Sequence, residues 1–555
     1  MRRLDVPVLI VGAGPVGATA AILLARHGVA CRVVERRAGP QTAPAAHAVN
    51  ARTLEICRQA GVDMNAIAAA CASPADAGHV RWMTKLAGDE LGSLPYERQT
   101  DAELAVTPTP LRNISQHRFE PILHDTLRAL PLGDLCWGHE WQGAEQDGDG
   151  VTSRVAADGE VYEVRSRWLL AADGAGSRVR KWLGIEPIGP SRIQSFIMIH
   201  FEANLRPLVG RRPAVLYWIT DPDTPGTFVA HDMDSTWVFM HPWDPDTERV
   251  EDYDADACAA LVRRAMGTDA VPFTIRTISS WTMTAQIAER YRAGRVFLVG
   301  DAAHRFPPTG GMGLNSGVQD VHNLIWKLGA VDAGWAPDAL LDTYERERRP
   351  VAQRNADVSV ANAFRLSEVF DALGGFGDGA AARQAAVLAD AEGRARVTAA
   401  IANQAEHFDM LGLQLGFTYE DGAVVGDGTA APALGNPVRE FVPNARPGAR
   451  LPHAWVGARS TLDLIPYDCF TLITGAAGTA WAAAGAGIEG VPLRHLALGR
   501  DADVAWADQL GIDPDGALLV RPDQHVAWRS RGAAPDPAAT LRAALARITG
   551  STRAS

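Results

Sequence analysis

Apolar residues along this chain follow two periods. Residues 6–11, "VPVLIV", form a nearly unbroken apolar run rich in β-branched side chains, the pattern of a strand buried on both faces. Residues 15–27 are alanine-rich and read as a helix, and residues 31–35 return to an apolar strand that ends in Glu35. Between 195 and 243 the runs "SFIMIHFEA", "AVLYWIT", "GTFVAHD" and "TWVFMHPW" are short and β-type. Turns at "PDTPG" and "DMDS" separate the last three, which predicts an antiparallel meander. Leu314, Val318, Val321, Leu324, Leu328 and Val331 recur at helical spacing, so Gly310–Asn315 reads as the first turn of a helix. Helices continue over 345–375, and an alanine-rich helical tract runs to residue 410. Residues 420–450, rich in Gly, Pro and Ala, read as a linker. Beyond it, "STLDLIPYDCFTLITGAAG", "VPLRHLALG" and "GALLVRPDQHVAWRS" read as strands with a connecting helix.

The length of 555 residues is material for three or four domains, enough for a large core. With 47% hydrophobic and 21% charged residues the composition is that of a globular protein. The net charge of −12, with no long basic run, argues against a nucleic-acid partner. Six scattered cysteines without a CxxC pair argue against zinc and against a disulfide scaffold, and they suit a reducing cytoplasm. "MRR" followed by "VPVLIVGAGPVGATAAILLA" could pass for a signal peptide or a membrane span. Its three glycines and Pro15 are better explained by a phosphate-binding turn, and no other stretch has the length and apolarity of a span.

That turn is Gly12-Ala13-Gly14-Pro15-Val16-Gly17, a GxGxxG between a strand and a helix. Gly12 permits the tight turn, Gly14 lets a pyrophosphate approach the backbone, and Gly17 lets the helix pack on the strand. The helix N-terminus offers free N–H groups to the phosphates. Glu35, followed by Arg36, ends the second strand where a ribose hydroxyl can be bound. This pattern predicts dinucleotide binding without separating NAD from FAD.

Two further motifs follow: "WLLAADGAGSRVRKWLG" at 168–184 and "GDAAHRFPPTGGMGLNSGVQD" at 300–320. The three together, in this order and spacing, resemble the class A flavoprotein aromatic hydroxylases. The nearest branch is the single-component phenol hydroxylases, with their chlorophenol, nitrophenol and polyketide hydroxylase relatives. The resemblance implies an α/β fold: a Rossmann-like FAD-binding domain of the para-hydroxybenzoate hydroxylase type, an antiparallel β substrate domain and a C-terminal thioredoxin-like domain. On that plan residues 1–185 and 275–375 form the FAD domain, and 75–110 with 186–274 the substrate sheet. Residues 376–445 form a helical segment and linker, and 446–555 the C-terminal domain. The latter lacks CxxC, so packing or homodimer formation is its expected role rather than redox work.

The resemblance also implies FAD as cofactor and NAD(P)H and O2 as co-substrates. The flavin C4a-hydroperoxide would deliver one oxygen atom to a phenolic or polycyclic aromatic substrate. No second GxGxxG is present; the resemblance implies that the nicotinamide docks transiently while the flavin swings between two positions. Glu35 would bind the adenosine ribose, Arg52 the flavin's phosphate or ribityl region, and Gln116 the ribityl chain. Asp173 would lie where the pyrophosphate and the nicotinamide nucleotide meet. Gly300 and Asp301 would meet the ribityl hydroxyls. Pro307 and Pro308 would flank the reactive edge of the isoalloxazine. Gly311, Gly313, Leu314 and Asn315 would give backbone contacts to its pyrimidine side, where a helix N-terminus stabilises an anionic flavin.

The substrate must be activated towards phenolate, so the pocket needs a base. His47 is the first candidate, five residues before Arg52, followed by His231 and Tyr217, whereas His304 is expected to support the flavin loop. Tyr217, Trp218, Phe228, Trp237, Phe239 and His241 are candidates for an aromatic wall, set against the ordinary reading of aromatics as core. Two other readings stay open: a FAD oxygenase performing epoxidation or Baeyer–Villiger chemistry on a polyketide-like substrate, and a FAD-fold protein without turnover. A halogenase is disfavoured by the absence of WxWxIP.

Overall fold

A computed structural model describes residues 2–551. The apolar run at the N-terminus becomes the central strand Arg3–Val11 of a parallel sheet. It pairs with Cys31–Glu35 on one side and Glu160–Ala171 on the other. Gly133–Trp137 and Val296–Leu298 extend the sheet outwards. Helices cover the sheet, so its strands are apolar on both faces, as parallel sheets require. The helix Pro15–Arg26 buries Ile22, Leu23 and Leu24 against it. The long helix Met312–Asp332 is buried almost all round. Its polar residues are matched from the next long helix, Thr343–Arg365. There Arg348 donates to Asp320 at 2.9 Å, and Lys327 meets Glu347 at 2.7 Å.

The meander becomes a seven-stranded sheet in the order Thr274–Met283, Gln194–Glu202, Thr236–Trp243, Gly226–Asp232, Leu216–Ile219, His79–Met83, Glu90–Pro95. All neighbours are antiparallel except Leu216–Ile219 with His79–Met83. Strand alternation sorts its residues into two faces. Ile197, Ile199, Phe201, Tyr217, Phe228, Trp237 and Phe239 share one face and form a core with Val262, Ala265 and Met266 of the helix Ala255–Met266. The opposite face carries Met198, His200, Trp218 and His231 and turns towards the FAD domain, where His231 meets His47. At its end Trp82 and Trp218 pack with Val369, Val397 and Ile401 of the helical segment that follows residue 366.

Residues 420–450 contain neither helix nor regular strand, yet Ala423, Ala445 and Ala449 are buried. The C-terminal sheet runs Leu493–Ala497, Phe470–Thr474, Ala517–Val520, Val526–Ser530, with the helices Thr479–Ala486 and Pro537–Thr549 packed on it in a thioredoxin-like arrangement. It is bound to the FAD domain through buried ions. Arg521 donates to both oxygens of Glu347, at 2.8 and 2.9 Å, and Arg450 pairs with Glu55. Such pairs add little net stability but become costly when one partner is removed, so they fix the docking geometry. Among the described residues no helix is long and apolar enough to cross a membrane.

Candidate active site

The nucleotide turn is shaped by close approach. Gly12 has φ +105°, and a Cβ there would collide with the carbonyl oxygen of Ala172. A Cβ on Gly17 would collide with the carbonyl oxygen of Gly12, whereas one on Gly14 would meet nothing within 4 Å. The first and third glycines are therefore set by packing, and the second opens onto space. Glu35 accepts from the Ala13 N–H at 2.9 Å, from the Arg37 N–H at 3.0 Å and from Arg37 Nε at 3.1 Å. Burial alone would raise its pKa, but these donors hold it below the usual carboxylate range. Arg36 is exposed, so the arginine tied to Glu35 is its neighbour Arg37, which sequence reasoning passed over. The helix Gln116–Arg128 braces the turn. Its His124 Nε2 donates to the Ala13 carbonyl at 2.7 Å, and Gln116 donates to Glu120 at 2.7 Å.

Asp173 caps the short helix Arg178–Trp182 with Oδ2, accepting from the N–H groups of Arg178 and Val179 at 2.7 and 3.1 Å. Its Oδ1 is buried without a partner, and burial raises its pKa. Arg180 donates to the Ala302 carbonyl at 2.9 Å and joins this turn to the Asp301 loop. In that loop Gly300 has φ +56°, and its N–H donates to Asp320, which His304 also binds at 2.6 Å. His304 thus braces the loop from behind. Asp301 is different. Its side chain is exposed, and none of the described residues donates to its carboxylate; desolvation by the surrounding loop raises its pKa. A Cβ on Gly313 would lie 3.9 Å from its Oδ1, so the acid stands at the mouth of the helix Met312–Asp332. That helix starts from Gly311, φ +61°, with no side-chain cap, leaving first-turn N–H groups at the same cleft. Asn315 spends its side chain on the Ala48 carbonyl (2.9 Å), the Gly311 carbonyl (2.6 Å) and the Asn50 N–H (2.9 Å). Pro307 is buried and Pro308 exposed. An open glycine, two carboxylates with unspent oxygens and an uncapped helix start fit a flavin dinucleotide.

Behind this cleft two of the three base candidates meet. The rings of His47 and His231 stand 5.9 Å apart, edge to face, and Tyr96 lies 6.0 Å from His47. Burial lowers both imidazole pKa values, and the His47 ring further disfavours a charge on His231, so both are neutral near pH 7. His47 Nδ1 bonds to Asn113 Oδ1 at 3.1 Å, and His231 Nδ1 is buried without a partner. Tyr217 is a correction. It points to the other face of the sheet, fully buried, and its hydroxyl donates to the Arg212 carbonyl at 2.9 Å. Phe228, Trp237, Phe239 and His241 share that face, so of the expected aromatic wall only Trp218 lies on the pocket side. Arg52 is a second correction. Its guanidinium donates to Glu55 (2.9 Å), Gln524 (2.8 Å) and the Asp523 carbonyl (2.7 Å), so it binds the C-terminal domain rather than a flavin. Sequence reasoning missed Glu97, a non-glycine residue at φ +51°. Its carboxylate accepts from the Met410 N–H (3.2 Å) and Gln414 (3.0 Å), and burial pushes its pKa up to about 7. No local sequence signal marks it.

Residues 5–359 match the FAD binding domain family, and residues 444–552 match the aromatic-ring hydroxylase C-terminal family. The chain is 35% identical over 578 residues to tetracenomycin B2 monooxygenase-dioxygenase of Streptomyces olivaceus, covering 99% of each. It is 34% identical over 583 residues to 2,4-dichlorophenol 6-monooxygenase of Cupriavidus pinatubonensis, covering 99% of this chain and 97% of that one. The flavin-dependent monooxygenase PieE, solved with FAD and substrate, superposes with a TM-score of 0.92 at 36% identity, over 99% of this chain and 100% of that one.

Proposed function

The chain belongs to the FAD-dependent aromatic-ring hydroxylases, and from that membership we propose how its residues share the work. The enzyme is a monooxygenase that uses FAD, NAD(P)H and O2 to hydroxylate a phenolic or polycyclic aromatic ring. FAD, when bound, accepts the hydride and activates the oxygen; the protein supplies orientation, electrostatics and dryness.

Gly14 and the start of the helix Pro15–Arg26 receive the pyrophosphate, and Glu35 binds the adenosine ribose. Asp301 accepts from ribityl hydroxyls. The uncapped start of the helix Met312–Asp332 faces the flavin ring. The observation that carries the cofactor assignment is Asp301, a carboxylate without any hydrogen bond from the chain, at the mouth of that helix. An exposed acceptor that the described residues leave unpartnered, beside first-turn N–H groups without a side-chain cap, offers both acceptor and donors to a polar ligand.

On the substrate side His47 acts as the base. A free phenol resembles tyrosine, with a pKa near ~10, and gives up its proton only to an acceptor held in the pocket. The proton passes from the substrate hydroxyl to His47 Nε2, which has no partner in the chain. His231 stays neutral beside it. Six free thiols suit a reducing cytoplasm. The test is oxidation of NADPH and NADH by the FAD-loaded protein with a panel of phenols and polycyclic phenols, with mass analysis of products. Faster oxidation together with one added oxygen supports the reading; no response in rate or product to any ring compound refutes it.

A further inference from the structure

Neutral imidazole exists as two tautomers, and only one can take a proton from the substrate. If Nδ1 carries the hydrogen, Nε2 presents a lone pair to the pocket; if Nε2 carries it, the ring can only donate there. The structure decides between them through two buried amides outside the flavin motifs. Gln99 Nε2 donates to two backbone carbonyls, those of Ala77 at 3.0 Å and Tyr96 at 2.8 Å. Carbonyls accept and never donate, so this end of the Gln99 amide is the nitrogen. Its Oε1 must then face Asn113, and it accepts from Asn113 Nδ2 at 2.9 Å. Asn113 is thereby oriented with Oδ1 towards His47 Nδ1, 3.1 Å away. That oxygen can only accept, so the hydrogen sits on Nδ1. Both amides are buried. The backbones of their two strands are also paired, Ala48 with Asn113, and the Ile114 N–H donates to the His47 carbonyl at 2.8 Å.

We infer that Gln99 and Asn113 are positioning residues that lock His47 in the Nδ1–H tautomer, keeping the Nε2 lone pair on the substrate hydroxyl. This rests on the reading of His47 as the base. The groups facing the ring are His231 from the strand Gly226–Asp232 and Tyr96. Beyond His231 lie His117 and Arg118 of the helix Gln116–Arg128 and His200 of the strand Gln194–Glu202. Glu97, next to Tyr96, is turned to Met410 and Gln414, and Arg118 is engaged by Asp232 at 2.7 Å. Among the described residues no carboxylate is hydrogen-bonded to either imidazole, so burial, opposed by the Asn113 amide, sets the basicity of His47 rather than a neighbouring charge.

The test is the pH profile of kcat/KM of the FAD-loaded enzyme with a substrate it hydroxylates, for Asn113→Asp, Asn113→Leu, Gln99→Leu and His47→Gln. Asn113→Asp is nearly isosteric and keeps an acceptor at Nδ1 but adds charge, which stabilises imidazolium; the acid limb moves up by about one pH unit. Asn113→Leu removes the acceptor; the limb moves down and the plateau falls by about 10²-fold, as loss of an oriented base requires. Gln99→Leu lowers the plateau less. A purely structural role would depress all three variants without moving the limb. If His47→Gln is strongly impaired while the limb stays in place in both Asn113 variants, the tautomer lock is wrong. If His47→Gln retains the wild-type rate and profile, the base assignment itself falls, and the lock with it.

Discussion

Replacing Asp301 by alanine should leave the empty protein almost unchanged and weaken the loaded one. In the empty protein the side chain is exposed at the cleft and accepts no hydrogen bond from the described residues. Removing it costs the fold no contact, so the apo form of Asp301→Ala should keep its stability to within ~0.5 kcal/mol of wild type at pH 8. In the loaded protein the same carboxylate accepts from ribityl hydroxyls. A hydrogen bond to a charged acceptor contributes ~1.5–3 kcal/mol, and two of them ~3–6 kcal/mol. Since ~1.4 kcal/mol is tenfold in Kd, FAD affinity should fall by at least ~10²-fold. Asp301→Asn, which keeps one acceptor oxygen without the charge, should fall in between. Titration of apoprotein with FAD, followed by quenching of flavin fluorescence, gives the Kd, and a thermal melt of each apo form gives the stability. The reasoning is refuted if Asp301→Ala binds FAD within about threefold of wild type, a difference of only ~0.7 kcal/mol, or if its apo form melts clearly lower.

Three further outcomes are expected. Gly17→Ala places a Cβ against the Gly12 carbonyl and should abolish FAD binding, whereas Gly14→Ala meets open space in the apo fold and should weaken FAD binding while leaving apo stability within ~1 kcal/mol; equal effects in both assays would contradict the packing account. Tyr217→Phe loses one buried hydrogen bond on the far face of the sheet, so stability should drop by ~1 kcal/mol with kcat unchanged, and a selective loss of kcat would return Tyr217 to the pocket. Glu97 has its pKa raised to about 7. The folded state therefore keeps a proton that the unfolded chain has lost, and stability falls as pH rises from about 4.5 to about 7. Glu97→Gln lacks that penalty and should match wild type below pH 4.5 but exceed it by ~3 kcal/mol above pH 7 in urea unfolding, so a pH-independent difference would exclude this origin.

The cofactor half of the site is far more legible in the sequence than the substrate half, and the reason is physical. A dinucleotide is bound largely by backbone. The glycines at 12 and 17 and the Gly310–Gly311 turn are demanded by local close approach or positive φ, which single short segments record. The substrate side has no such record. His47, Gln99, Asn113 and His231 come from separate segments, and amides at 99 and 113 carry no motif. Arg52 was opaque for the same reason, because Asp523 and Gln524 lie more than 400 positions away in the chain. The strand runs did hold one unread signal. In "GTFVAHD" the alternation puts Phe228 and Ala230 on one face and Thr227, Val229 and His231 on the other. The alternation sets His231 opposite to Phe228, but Tyr217 lies on another strand, and only the register that pairs it with Phe228 places it on the helix-packed face. The same asymmetry bears on specificity. Orientation of the base is fixed by buried amides, whereas Trp82 and Trp218 pack with the helical segment around Val369 and Ile401 at the far end of the same sheet. Changes in that helical segment should therefore alter which ring compounds are accepted while leaving the acid limb of the pH profile, set at His47 and Asn113, where it is.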